Sequence, residues 1–78
     1  MFDEQPFEKA LMEIIDQRGF DASKIEQKTK VDEAWLRALI AGNRVVCDID
    51  ALSRLAVVLR IEVPLFVGRA VEAILRRG

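Results

Sequence analysis

Few side chains in this sequence are able to do chemistry. It has no histidine and no tyrosine, and its hydroxyl groups are limited to Ser23, Thr29 and Ser53. Without a histidine base, neither a Ser/His nor a Cys/His nucleophilic site can be assembled. Cys47 stands alone, which also argues against a zinc site with nitrogen and sulfur ligands. We therefore expect no enzyme, no metal site and no bound cofactor.

Charge and glycine spacing point to no ligand either. The net charge is −1, so composition alone does not argue for nucleic acid. The acidic side chains fall mostly on the outer faces of predicted helices, as is typical of a solvated surface. The glycines lie at positions 19, 42, 68 and 78, which is not the pattern of a phosphate-binding loop.

The totals predict one small domain over residues 1–78. Its 51% apolar and 32% charged residues are an ordinary balance for a soluble globular chain. Cys47 has no partner for a disulfide, which favours a reducing cytoplasm. The start, "MFDEQPFEK", lacks the apolar run of a signal peptide, and no stretch reaches the ~18 apolar residues of a membrane span.

Apolar residues recur at helical spacing and predict five helices with no strand. Pro6 suits the first turn of the first helix and Gly19 ends it. Asp21 can cap a second helix to about Lys28, and Asp32 a third from Glu33 to about Ala41. Three further boundary residues are predicted for the remaining helices: a cap at Asp48, an end at Leu59, and Pro64 opening a fifth helix that reaches Arg76 or Arg77.

Residues 20–44, "FDASKIEQKTKVDEAWLRALIAGNR", resemble the helix-turn-helix of the phage-repressor/Cro (XRE-like) family. Residues 48–66, "DIDALSRLAVVLRIEVPLF", resemble that family's fourth helix and its lead into the fifth. The resemblance implies an all-α, five-helix, repressor-like helix-turn-helix domain. Its helix-turn-helix core would span about 21–42, and its C-terminal helix about 64–77.

In that family, the third helix lies in the major groove of DNA. The resemblance thus implies a small DNA-binding transcriptional regulator, with Arg37 pairing to guanine and Ala34 or Ala38 touching a thymine methyl. Glu33 would either accept a hydrogen bond from the N4 amino group of cytosine or repel the phosphate backbone of DNA. The second helix and the turn after the third would face phosphates with these residues: Ala22, Ser23, Lys28, Asn43 and Arg44.

Two positions depart from the family pattern. Glu26 stands where the two helices approach closely and the family usually has alanine. Lys30 stands at the corner, where glycine is frequent, and it carries a small cost if the turn needs a positive φ. Trp35 is expected to cover the edge of the core, with its indole N–H reaching water or a carbonyl, rather than to stack on a partner.

A second resemblance favours a different use of the same scaffold. "DEAWLRALIAGN" followed by "DALSRLAVVLRI" is similar to the N-terminal helical domain of cyanase, which serves assembly rather than DNA. The catalytic domain of that family is absent, so no lyase activity is implied. The alternative is therefore a module for protein–protein contact or self-assembly.

The fifth predicted helix is apolar around most of its circumference. A core of this size is not expected to cover so wide a stripe, which favours a homodimer, although the helix could instead pack along the first helix of its own chain. A two-fold dimer would also place two recognition helices about 34 Å apart, one turn of DNA. The predicted interface consists of Phe66, Val67, Ala70, Val71, Ile74 and Leu75.

Overall fold

The computed structural model describes residues 5–77, and over this range the chain forms five α-helices and no strand. The all-α, five-helix class predicted from the sequence is confirmed. None of the described helices is long and apolar enough to cross a membrane. The helices are α1 (Phe7–Gln17), α2 (Ala22–Thr29), α3 (Glu33–Ala41), α4 (Ile49–Val58) and α5 (Val63–Arg77).

Aspartates begin three of the helices. The carboxylates of Asp21, Asp32 and Asp48 accept hydrogen bonds from the backbone N–H three residues ahead, over 2.8, 2.9 and 3.1 Å. Each bond satisfies one of the N–H groups that a helix start leaves without an intrahelical partner. These caps confirm the predicted starts of α2, α3 and α4. Pro6 lies at the N-cap position of α1, one residue before the predicted first turn.

Residues in the left-handed region follow four of the helices, and they include Gly19 after α1, at φ 73°, and Arg60 after α4, at φ 58°. Gly42, with φ 81°, ends α3 where the sequence predicts it. The turn between α2 and α3 also needs a positive φ, and Lys30 supplies it at φ 63°. A side chain in this region is less favourable than glycine, so the cost anticipated at Lys30 is present in the fold.

The core is built from side chains of all five helices. α5 packs mainly against α4 and also touches α1, where the rings of Phe7 and Phe66 lie 5.6 Å apart. This packing fully buries Phe66 and Ala70 and nearly buries Ile74. The predicted dimer surface is therefore wrong at these three positions, because one chain covers them by itself.

Candidate nucleic-acid interface

α2 and α3 are joined by a short turn, residues 30–32, which side-chain hydrogen bonds hold in place. The Thr29 hydroxyl donates to the Ile25 carbonyl over 2.7 Å and accepts from the Val31 N–H over 3.1 Å. Ile25 and Val31 are buried, so the turn is anchored on the core. α3 is thereby held in a fixed direction relative to α2, with its other side facing solvent.

Glu26 reaches across from α2 to the start of α3. Its Oε2 atom accepts a hydrogen bond of 2.8 Å from the backbone N–H of Glu33. Together with Asp32, which accepts from Trp35, it satisfies two of the first N–H groups of α3. The residue that departs from the family pattern thus links the two helices. The same carboxylates offset the positive end of the α3 dipole, which makes this helix start less attractive to a phosphate.

The predicted contact residues all lie at the surface, with one exception. Ala22 is buried, because it faces the core from the first turn of α2, and it is not available to a ligand. Of the others, Glu33 and Ala38 are partly buried, and the following are exposed: Ser23, Lys28, Ala34, Arg37, Asn43 and Arg44.

The exposed side of α3 is made of small side chains around one arginine. Ala34, Ala38 and Ala41 reach solvent, and no large apolar side chain of α3 is exposed with them. Arg37 is held by Glu33, whose carboxylate lies 2.8 Å from the arginine Nε. An ion pair between side chains one helical turn apart at the surface is weak, so Arg37 can exchange Glu33 for another acceptor at little cost.

Trp35 has the structural role expected from the sequence. Its indole N–H donates to the Val46 carbonyl over 2.9 Å, and its ring packs against the core without being fully buried. It ties the segment after α3 to α3 itself. Where the chain leaves α3 is set by the left-handed Gly42 and by the backbone bond from the Asn43 N–H to the Ala38 carbonyl, over 3.0 Å.

Arg77 has a structural role that the sequence did not indicate. The sequence places it only at the end of the fifth helix, where a charged side chain is ordinarily solvated, yet its side chain is only 8% exposed. Its Nη2 donates to Glu8 of α1 over 2.6 Å and to the Leu39 carbonyl over 2.9 Å, and its Nη1 donates to the Asn43 carbonyl over 3.1 Å. The last residue of α5 therefore binds the C-terminal end of α3. A partner 69 residues away leaves no local signal in the sequence.

The ionisation of Glu8 reflects this contact. The hydrogen bond from Arg77 lowers the pKa of the Glu8 carboxyl, burial opposes the shift, and a backbone hydrogen bond and the arginine charge add to the lowering. The carboxylate is thus held in its charged form beside the guanidinium.

Cys47 and the acidic side chains are the remaining groups with reactive potential. Cys47 is exposed and forms no disulfide. Among residues 5–77, no group of three His, Cys, Asp or Glu side chains is placed to hold a metal ion. Comparisons of the chain with protein-family models, with curated proteins and with solved structures find no match.

Proposed function

We propose that this domain binds double-stranded DNA as a small transcriptional regulator, with the exposed side of α3 in the major groove. The observation that carries the proposal is the alanine surface around Arg37. Alanines let a helix backbone come close to base edges, and a methyl group contacts thymine favourably. An arginine in their midst reaches the O6 and N7 atoms of guanine.

The acidic residues near α3 are compatible with this role, because each has a partner within the domain. Asp32 and Glu26 accept backbone N–H groups, and Glu33 is paired with Arg37. When Arg37 turns to a base, Glu33 is left able to accept from a cytosine amino group in the same groove.

The flanks of α3 supply the contacts to phosphate. Ser23 and Lys28 are exposed on α2, and Asn43 and Arg44 follow the C-terminal end of α3. Arg77 fixes the backbone at Asn43, so the phosphate-facing turn is held in place before DNA arrives. Such contacts add affinity for any sequence and set the register of the helix in the groove.

Two arginine substitutions test the arrangement. Arg44→Ala should weaken binding to all duplexes alike. Arg37→Ala should weaken binding and also relax sequence preference by about 1–3 kcal/mol at one base pair. Arg76→Ala is the matched control, since Arg76 is also exposed and also paired with a glutamate four residues before it. The measurement is fluorescence anisotropy on a selected duplex and its single-base variants.

Loss of affinity in Arg76→Ala equal to that in Arg37→Ala would show that only net charge matters and that α3 does not read bases. Glu33→Gln distinguishes the two roles of that residue. Tighter binding to every duplex means that Glu33 only repels DNA, while reduced discrimination at one base pair means that it reads a cytosine.

A protein-contact module is the second candidate, and one surface favours it. Asp32 and Asp48 line a depression beside Trp35, together with Asp50, Lys30 and Arg54, of which Arg54 is paired with Asp50 at 3.0 Å. The adjoining Val46 is 77% exposed. The carboxylates of Asp32 and Asp48 beside an exposed apolar side chain suit a basic protein segment rather than DNA. A domain with this role binds no duplex at about 50 mM salt, where phosphate contacts are strongest.

A further inference from the structure

A shallow groove between α1, the start of α2 and α3 is left open by the chain. Its floor is apolar: Ile15 is buried, Phe20 and Ile40 are half-buried, and Met12 is 55% exposed. The groove has a volume of about 380 Å³ and is open to solvent. Apolar side chains left in contact with water favour a partner that covers them. We call this feature the α1–α3 groove.

Two aspartates border the α1–α3 groove where α1 leads into α2. Asp16 and Asp21 line it, and both are exposed. Asp21 uses its Oδ1 atom to cap α2, and among residues 5–77 no basic side chain forms an ion pair with either aspartate. This border therefore carries negative charge that the cations of a partner can neutralise.

Arg37 borders the same groove from α3. Its guanidinium is held by Glu33 over 2.8 Å, so the pair contributes no net charge and a basic partner can approach. Ala41, which is exposed at the C-terminal end of α3, lines the groove as well. A partner in the α1–α3 groove therefore reaches the side of α3 that is proposed to read DNA.

The open shape of the groove favours a protein segment over a small molecule. Sites for small molecules enclose most of the ligand surface, whereas this groove is formed on the surface of three helices. An amphipathic helix that lays its apolar side into a groove is a common form of peptide recognition. Since the floor is apolar and the border carries aspartates, the helix that fits has an apolar stripe with lysine or arginine beside it.

We propose that the α1–α3 groove binds a basic amphipathic helix of another protein. The apolar side chains of that helix pack on Met12 and Ile40, and its lysine or arginine side chains pair with Asp16 and Asp21. Such a partner and DNA exclude each other, because both occupy the side of α3 that carries Arg37. The exclusion of DNA rests on the proposed function, whereas the binding of the helix does not.

Titration calorimetry in the absence of DNA tests the binding, with a synthetic amphipathic helix of leucine and lysine as the probe. About 14 residues give this peptide about four helical turns. We expect a dissociation constant on the order of 10 μM, and no binding of the same peptide with glutamate in place of lysine. Changes in amide NMR shifts should be largest around Met12, Asp16 and Ile40.

Two substitutions with matched controls test the residues of the groove. Asp16→Lys should raise the dissociation constant at least about tenfold, because it reverses the charge of the border. Glu72→Lys makes the same change of charge on α5 and should raise the constant less than about twofold at about 150 mM salt, where distant charges are screened. Met12→Ser should raise it about threefold or more through lost apolar contact, whereas Leu75→Ser, which removes a 70% exposed side chain from α5, should leave it unchanged.

A covalent label tests the exclusion of DNA. In a Cys47→Ser background, a bulky maleimide on the Met12→Cys variant should weaken duplex binding at least about fivefold, the smallest effect expected from losing a base contact such as that of Arg37. The same label on the Leu75→Cys variant should leave duplex binding unchanged.

Equal binding of the lysine and glutamate peptides, or equal effects of Asp16→Lys and Glu72→Lys, would overturn the proposed groove. So would NMR shift changes confined to the depression beside Trp35, which would favour the second candidate function. A label at position 12 that leaves duplex binding intact would overturn the exclusion of DNA alone. A chain that binds the lysine peptide but no duplex would contradict the proposed function and leave the groove in place.

Discussion

Arg77→Met should destabilise the fold much more than Arg76→Met, although the two arginines are neighbours and each lies 2.6 Å from a glutamate oxygen. The pairs differ in burial. The Arg77 side chain is 8% exposed and that of Glu8 30%, whereas Arg76 and Glu72 are 78% and 49% exposed. Methionine keeps much of the apolar stem and removes only the charged end.

The size of the effect follows from the bonds lost. The Arg77 guanidinium donates to one carboxylate and two backbone carbonyls, and hydrogen bonds to charged groups contribute about 1.5–3 kcal/mol each when buried. In the variant, water can reach Glu8 and Asn43, and its hydrogen bonds to them offset part of the free energy lost with the guanidinium. We expect a loss of about 2–3 kcal/mol, or about 8–24 °C in thermal midpoint for a domain of this size. Arg76→Met should cost less than about 1 kcal/mol.

Urea unfolding of both variants, followed by circular dichroism, measures the difference in their free energies of unfolding.

The stability of the fold should also depend on pH through Glu8. Because the pKa of the Glu8 carboxyl is lowered in the folded state, its contribution to stability is fully present above the ordinary pKa of glutamate. That contribution is lost as the pH falls through the lowered value. Between about pH 6 and about pH 3 the wild type should therefore lose more stability than Glu8→Gln does. Equal losses of unfolding free energy in Arg77→Met and Arg76→Met would refute the stabilising role of the buried Arg77–Glu8 pair.

Three further substitutions test the turns and caps around α3, each by urea unfolding. Lys30→Gly should stabilise the fold by about 0.5–1 kcal/mol, because it removes a side chain from the left-handed region, whereas Lys28→Gly, within α2, should destabilise it by about 1 kcal/mol. Glu26→Ala should cost about 1 kcal/mol through the lost N–H bond at the start of α3, and Gln in its place should recover most of it. Trp35→Phe should cost about 1 kcal/mol, since it keeps a ring but leaves the Val46 carbonyl without its donor.

Local signals were sufficient to predict the helices. Capping aspartates and the glycine after α3 act within one or two turns of the chain, so Asp21, Asp32, Asp48 and Gly42 could be located from the sequence. The burial of individual residues along α5 could not be predicted from such local signals. The resemblance places Phe66 in the core, but the apolar width of the helix gave no indication that Ala70 and Ile74 are also buried while Leu75 remains exposed.

Side-chain bonds between helices were also beyond sequence reasoning. Glu26 could be recognised as unusual at its position, but its bond to the Glu33 N–H depends on how α2 and α3 meet. Arg77 and Glu8 are brought together only when α1 and α5 pack against each other. The candidate contact residues on α3 were easier to place, because outward positions of a helix follow directly from its period.

The central proposal is tested most directly by the affinity of the wild type for a random DNA duplex at about 50 mM and about 200 mM salt. Lys28, Arg37 and Arg44 are the exposed cations that face DNA in the proposed arrangement. Two or three phosphate contacts predict an affinity loss of about 10- to 40-fold between these salt concentrations. Absence of binding at the lower salt, or binding that the higher salt does not weaken, would contradict the proposal that α3 enters DNA.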